Sequence, residues 1–202
     1  MIVDTEKLRN LFLELGYTEE DYLKIISAYP IYILKEETLI KNVKTIFEFL
    51  SKIYSKEEVI KITKKSPSIY SYSIENMKQK IDDICSLGYS KEEVIKMTKT
   101  FPAIYGSSIE NMEQKIKFYD SINMHELAIV DSKELMQSVN LSYARYMFYK
   151  ERGTIVDMSN YRKLFIVNKQ FEKSYGITKK ELLEKYDYEK YLEEQKNIGG
   201  LK

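Results

Sequence analysis

The stretch LGYSKEEVIKMTKTFPAIY, residues 87–105, decides how the rest of the chain is read, because two echoes of it stand earlier. Residues 15–33 read LGYTEEDYLKIISAYPIYI, and residues 52–70 read KIYSKEEVIKITKKSPSIY. The only prolines, Pro30, Pro67 and Pro102, are spaced by 37 and 35 residues, and Tyr17, Tyr54 and Tyr89 keep the same spacings. Recurrence at a period between 20 and 50 residues marks stacked supersecondary units, each too small to bury its own apolar face.

Each copy spells a helix start. Ser90 can cap the Glu93 amide while Glu93 returns the bond, Ser55 with Glu58 repeats this capping box, and Thr18 with Asp21 makes a weaker version. Tyr89 with Val94, Tyr54 with Val59 and Tyr17 with Tyr22 fit a hydrophobic staple. Gly16 and Gly88 suit the left-handed residue that ends a preceding helix; Ile53 at the same place does not, so that junction is expected to be built differently.

The first helices place Tyr22, Ile25, Ile26 and Tyr29, then Val59, Ile60 and Thr63, then Val94, Ile95, Thr98 and Phe101, on one side of a 3.6-residue period. Each proline then stops its helix. Ser73 and Ser108 can cap second helices whose buried faces carry Met77, Ile81 and Ile84, or Met112, Ile116 and Tyr119. In the first copy these are Leu39, Val43, Ile46 and Leu50.

A degraded fourth unit follows, with Asn123 read as its cap, Glu126 at the third helical position and Leu135 where a proline would fall. LSYARYMFYKERG, residues 141–153, is its second helix, closed by Arg152 and Gly153. Beyond it a single helix is expected over about 159–175, ended by Gly176, and a last capping box at Thr178 and Glu181 opens ELLEKYDYEKYLEE. The expected fold is all-α: a right-handed-type helical-repeat solenoid over 1–153, with about four stacked helix pairs at 15–53, 54–88, 89–121 and 122–153. Capping helices fill 154–202, and the final NIGGLK is read as frayed.

Composition narrows the function classes. With 202 residues, 44% of them apolar, a folded core is expected. Thirty-two basic and 31 acidic side chains leave +1, without the global basic excess typical of nucleic-acid binders. One cysteine, Cys85, excludes an internal disulfide and a cysteine metal cluster. No apolar run is long enough to span a bilayer or to act as a signal peptide, so no membrane partner and a cytoplasmic protein are expected.

No enzyme is expected either. His125, the only histidine, precedes Glu126 without the second histidine of a zinc-hydrolase helix, and reads as a polar surface contact. Cys85 reads as a small core residue, no glycine-rich phosphate loop occurs, and neither a cofactor nor a metal is called for.

The phrase LGYSKEEVIKMTKTFPAIYGSSIENMEQKIKFYDS resembles the repeat of the mitochondrial transcription termination factor family, a pair of α-helices with a short 3₁₀ turn after a near-invariant proline. Gly88, Ser90, Val94, Ile95, Pro102, Ile104, Ser108, Met112 and Ile116 carry the match, repeated at Thr18, Leu23 and Pro30 and at Ser55, Val59, Ile60 and Pro67. Arg145, Phe148 and Gly153 fall on the family's late arginine, apolar and glycine positions. This chain is shorter than the family's usual members and less basic.

The resemblance implies a concave face whose cations follow the backbone of duplex DNA or structured RNA, with few base contacts. Lys24, Lys61 and Lys96 recur at one helical position and would supply a cation per unit, as would Lys78 with Lys80 and Lys115 with Lys117 on the second helices. Arg145, Arg152 and Arg162 stand out in a chain with four arginines, since the guanidinium fork suits phosphate, although helix capping or internal salt bridges would also account for them. The sites expected to touch nucleic acid are Lys24, Lys61, Lys96, Arg145 and Arg162. The alternative is a protein-interaction module without nucleic-acid binding, which the negative first fifty residues (six basic, nine acidic) and the many tyrosines suit.

Overall fold

The repeated helix starts form as their residues dictate. In the computed structural model, which describes residues 5–28 and 31–199, Ser90 Oγ accepts from the Glu93 amide (3.3 Å) and Glu93 Oε2 from the Ser90 amide (2.8 Å). Ser55 with Glu58 and Thr18 with Asp21 close the same box. The described chain is α-helices joined by short 3₁₀ turns, with no strand among the described residues. It divides into two compact units, residues 1–109 and 110–202.

The first unit runs α1 (Glu6–Glu14), α2 (Glu19–Ile26), a turn at Ile31–Ile33, α3 (Glu36–Leu50), α4 (Lys56–Lys65), a turn at Pro67–Ser71, α5 (Ile74–Ser86), α6 (Lys91–Thr100) and a turn at Pro102–Gly106. Pro67 and Pro102 open their turns, and the residues before them, Ser66 and Phe101, leave the helix at φ −136° because the proline ring disfavours helical geometry there. Pro30, expected to do the same, and Tyr29 lie outside the described residues. The buried faces of α3 and α5 are the expected ones. On α4 and α6, Ile62 and Met97 join the core, while Ile60 and Ile95 are half-buried at its margin.

The staple tyrosines also bind one repeat to the next. Tyr17 Oη lies 2.7 Å from Thr63 Oγ1 and 2.7 Å from Tyr70 Oη, and Thr63 donates onward to the Val59 carbonyl. Tyr54 repeats the pattern with Thr98 (2.5 Å) and Tyr105 (3.4 Å). All six side chains are buried, so each hydroxyl needs the partner that the neighbouring repeat supplies. The capping carboxylates bridge repeats as well: Asp21 pairs with Lys64 (2.5 Å) and Glu58 with Lys99.

Junctions follow the glycine pattern. Gly16 and Gly88 sit at φ +94° and +101°. Ile53 is not left-handed; there the Tyr54 amide bonds the Leu50 carbonyl, whereas the Tyr17 amide reaches one residue further back, to Phe12.

The second unit comprises α7 (Ile109–Ser121), α8 (Leu127–Val130), a turn at Ser132–Met136, α9 (Val139–Glu151), a turn at Tyr161–Phe165, α10 (Asn168–Tyr175), α11 (Lys179–Lys185) and α12 (Tyr188–Gly199). Several expectations change here. Asn123 is not a cap: at φ +56° it ends α7 in the place Gly88 holds, and buried Met124 takes the tyrosine position. The helix that follows is shortened, so the 3₁₀ turn begins at Ser132 rather than near Leu135. The single helix expected over 159–175 is broken by extended backbone at Ile166 and Val167, a β-branched pair with weak helix propensity. ELLEKYDYEKYLEE likewise divides at Tyr186, after which Asp187 caps the amides of Glu189 and Lys190. The final helix persists through Gly199, into the stretch read as frayed; residues 200–202 lie outside the described residues.

Candidate nucleic-acid interface

The ladder lysines stand on the outer sides of α2, α4 and α6. Lys24, Lys61 and Lys96 are all exposed, each six residues after its helix cap, and none forms an ion pair among the described residues. The core sides of the same helices are taken by Tyr22, Ile25 and Ile26, by Val59, Ile62 and Thr63, and by Val94, Met97 and Thr98. Glu20, Glu57 and Glu92 precede the three lysines by four residues, a spacing that supports a helix electrostatically and offsets the local positive charge. The ladder is regular but not strongly basic.

The arginines divide by task. Arg162, on the turn Tyr161–Phe165, is exposed, with its guanidinium 5.9 Å from the centroid of the Tyr161 ring. Arg145 is 3% exposed; Nη1 donates to the Leu164 carbonyl (2.8 Å) and Nη2 to Asn168 Oδ1 (2.7 Å). Arg145 therefore ties α9 to the turn that presents Arg162 and to the start of α10. Arg152 lies on the Phe148 ring at 3.5 Å and donates to the Phe148 carbonyl, a helix-closing role.

The second-helix lysines separate too. Lys78 is exposed and Lys80 half-buried, and Lys117 pairs with Glu113 at 2.7 Å. Lys115 is fully buried, with Nζ 2.5 Å from Ser142 Oγ and 3.2 Å from the Ser138 carbonyl, so it does not reach a surface ligand. Burial pulls its ammonium down to about 7, opposed by the charge of Glu134 and reinforced by that of Arg145. Nothing in the repeat pattern signals this burial, since Lys115 repeats the position of half-buried Lys80.

His125 Nδ1 lies 2.6 Å from Asp120 Oδ1 at the surface, and burial raises the Cys85 thiol, which removes thiolate character. Among the described residues no group of three or more His, Cys, Asp or Glu side chains is placed to hold a metal, and no helix is long and apolar enough to cross a membrane.

No curated protein matches the chain. The model of the mTERF family, whose members are helical-repeat proteins and generally bind nucleic acid, matches residues 4–172. With that match over most of its length, and capped helix pairs turning at proline beneath it, the chain belongs to the mTERF family.

Proposed function

We propose that this protein binds the backbone of duplex DNA or structured RNA without catalysing a reaction, through Lys24, Lys61 and Lys96 in the first unit and Arg162 in the second. The observation that carries the reading is the return of an exposed, unpaired lysine at the same helical position in three successive repeats of an mTERF-family chain. A repeat supplies cations at a regular rise, which is what a phosphate backbone requires, and phosphate contacts fix position without reading bases. Arg145 holds the Arg162 turn in place through the Leu164 carbonyl.

The intervening glutamates predict modest affinity with little sequence preference. Fluorescence titration of duplex DNA and a structured RNA tests the reading. Lys61→Glu with Lys96→Glu should weaken binding by a similar factor on unrelated sequences, and binding indifferent to both reversals would reject it. One feature favours the interaction-module alternative: a groove of about 590 Å³ between α3 and α5, where Phe49, Ile53, Ile74 and Ile81 are edged by Lys52, Lys78 and Lys91 and by Glu48 and Asp82. A stoichiometric protein partner, with no nucleic-acid binding, would move the assignment there.

A further inference from the structure

The fourth repeat breaks the pattern of the others in its interior. Its turn SKELM aligns with PAIYG, and α9 with α7, each 13 residues long. In that alignment Glu134 takes the place of Ile69 and Ile104, and Ser142 the place of Met77 and Met112, all four of them fully buried. Arg145 stands where Lys115 does one repeat earlier. Exchanging a core methionine for serine removes volume, and the space is present as a cavity of about 250 Å³.

The lining of this cavity is rich in donors. The amino-terminal turns of α9, at Leu141, and of α10, at Asn168, both border it, and their cap positions, Ser138 and Val167, make no side-chain cap bond; the Gln170 amide turns back to the Val167 carbonyl, while the earlier amides of these turns have no acceptor within their own helix. Arg145 lines it while almost wholly buried; two of its five N–H groups are used, and Nε is buried without a partner. Ser142 adds a hydroxyl, with the Lys115 ammonium directly behind. Glu134 is the one carboxylate among the lining residues, and Lys133, outside the lining, pairs with it at 3.5 Å. The buried Arg145 guanidinium and two helix ends outweigh that carboxylate, and Lys115 adds its charge only below about pH 7. The volume is below the roughly 300–1,000 Å³ of drug-sized sites, so the occupant is small.

We propose that this cavity binds a phosphate monoester group, held by Arg145, Ser142 and the first-turn amides of α9 and α10. The group can come as free phosphate or as the terminal phosphate of a nucleic-acid strand. The site is independent of the lysine ladder: it would survive reversal of Lys61 and Lys96, so failure of one does not entail failure of the other.

The test uses the full chain and inorganic phosphate, with chloride at matched ionic strength as control, read by thermal shift and ³¹P line broadening. Saturable stabilisation by phosphate is expected. Ser142→Met restores the residue of the second and third repeats and fills the space, and Asn168→Asp places a carboxylate at the exposed mouth; each should weaken phosphate binding at least tenfold while circular dichroism stays unchanged. Preference for a 5′-phosphorylated duplex over its 5′-hydroxyl counterpart, lost in Ser142→Met, would identify the strand end as the source. Phosphate binding without that preference would identify the free ion. A phosphate effect no larger than that of chloride, or one that both variants leave intact, would overturn the proposal.

Discussion

Tyr17 shows how one side chain serves two levels of structure. Its ring fixes the start of α2, and its hydroxyl joins Thr63 and Tyr70 of the next repeat, both at 2.7 Å. Burial raises the Tyr17 and Tyr70 hydroxyls above their usual range, so they remain neutral donors and acceptors. Tyr17→Phe leaves the Tyr70 hydroxyl without its acceptor and should cost about 1–3 kcal/mol in urea unfolding. Tyr54→Phe should cost less, because its bond to Tyr105 is already long at 3.4 Å. Lys115 gives a prediction of opposite character. Its folded value of about 7 lies below the roughly 10.4 of an unfolded lysine, so between these values the unfolded chain holds a proton that the folded chain lacks. Its contribution to stability therefore rises with pH through that window and is flat below it. Relative to Lys115→Met, the protein should gain about 1.4 kcal/mol per pH unit from pH 7 to 9; parallel stability curves would contradict a titrating buried amine.

At the scale of elements, local chemistry carried the reading wherever it sufficed. Capping boxes at Ser55, Ser90 and Thr178 form because both partners lie within one turn, and Pro67 and Pro102 stop their helices whatever packs against them. Ser55→Ala should cost about 1 kcal/mol by the same unfolding measurement. Where punctuation faded, the reading slipped. The fourth repeat has no proline, its first helix is cut to Leu127–Val130, and Asn123, whose spacing from Glu126 predicts a cap, does the work of Gly88. Asparagine tolerates the left-handed region less well than glycine, so Asn123→Gly should leave the fold intact and raise stability by up to about 1 kcal/mol, whereas Asn123→Val should lower it. The break at Ile166 and Val167, locally favoured by that β-branched pair, is also supported by a distant residue: Arg145 takes the Leu164 carbonyl that a continuous helix would give to the Asn168 amide. Nothing within the segment announces that bond.

At the scale of the molecule, the repeat architecture was legible because three copies stood in one chain, but the candidate site was legible only in part. Exposure of Lys24, Lys61 and Lys96 follows from helical periodicity, whereas the exposure of Arg162 on its turn and the burial of Arg145 and Lys115 depend on tertiary packing. The cavity was invisible until the shortened helix set the alignment that places Ser142 opposite Met112. A net charge of +1 gives little overall attraction for nucleic acid, so binding must come from local phosphate contacts and must respond to salt. The dependence of duplex affinity on salt between about 50 and 200 mM is therefore the most direct measurement. Four cations on four phosphates predict a log–log slope of about −3 to −4 and roughly a hundredfold loss of affinity across that range. Replacing Lys24, Lys61 and Lys96 together by glutamate should bring the slope to about −1. A flat salt response in the unaltered protein, or a steep one that the triple replacement leaves unchanged, would contradict backbone binding through the lysine ladder.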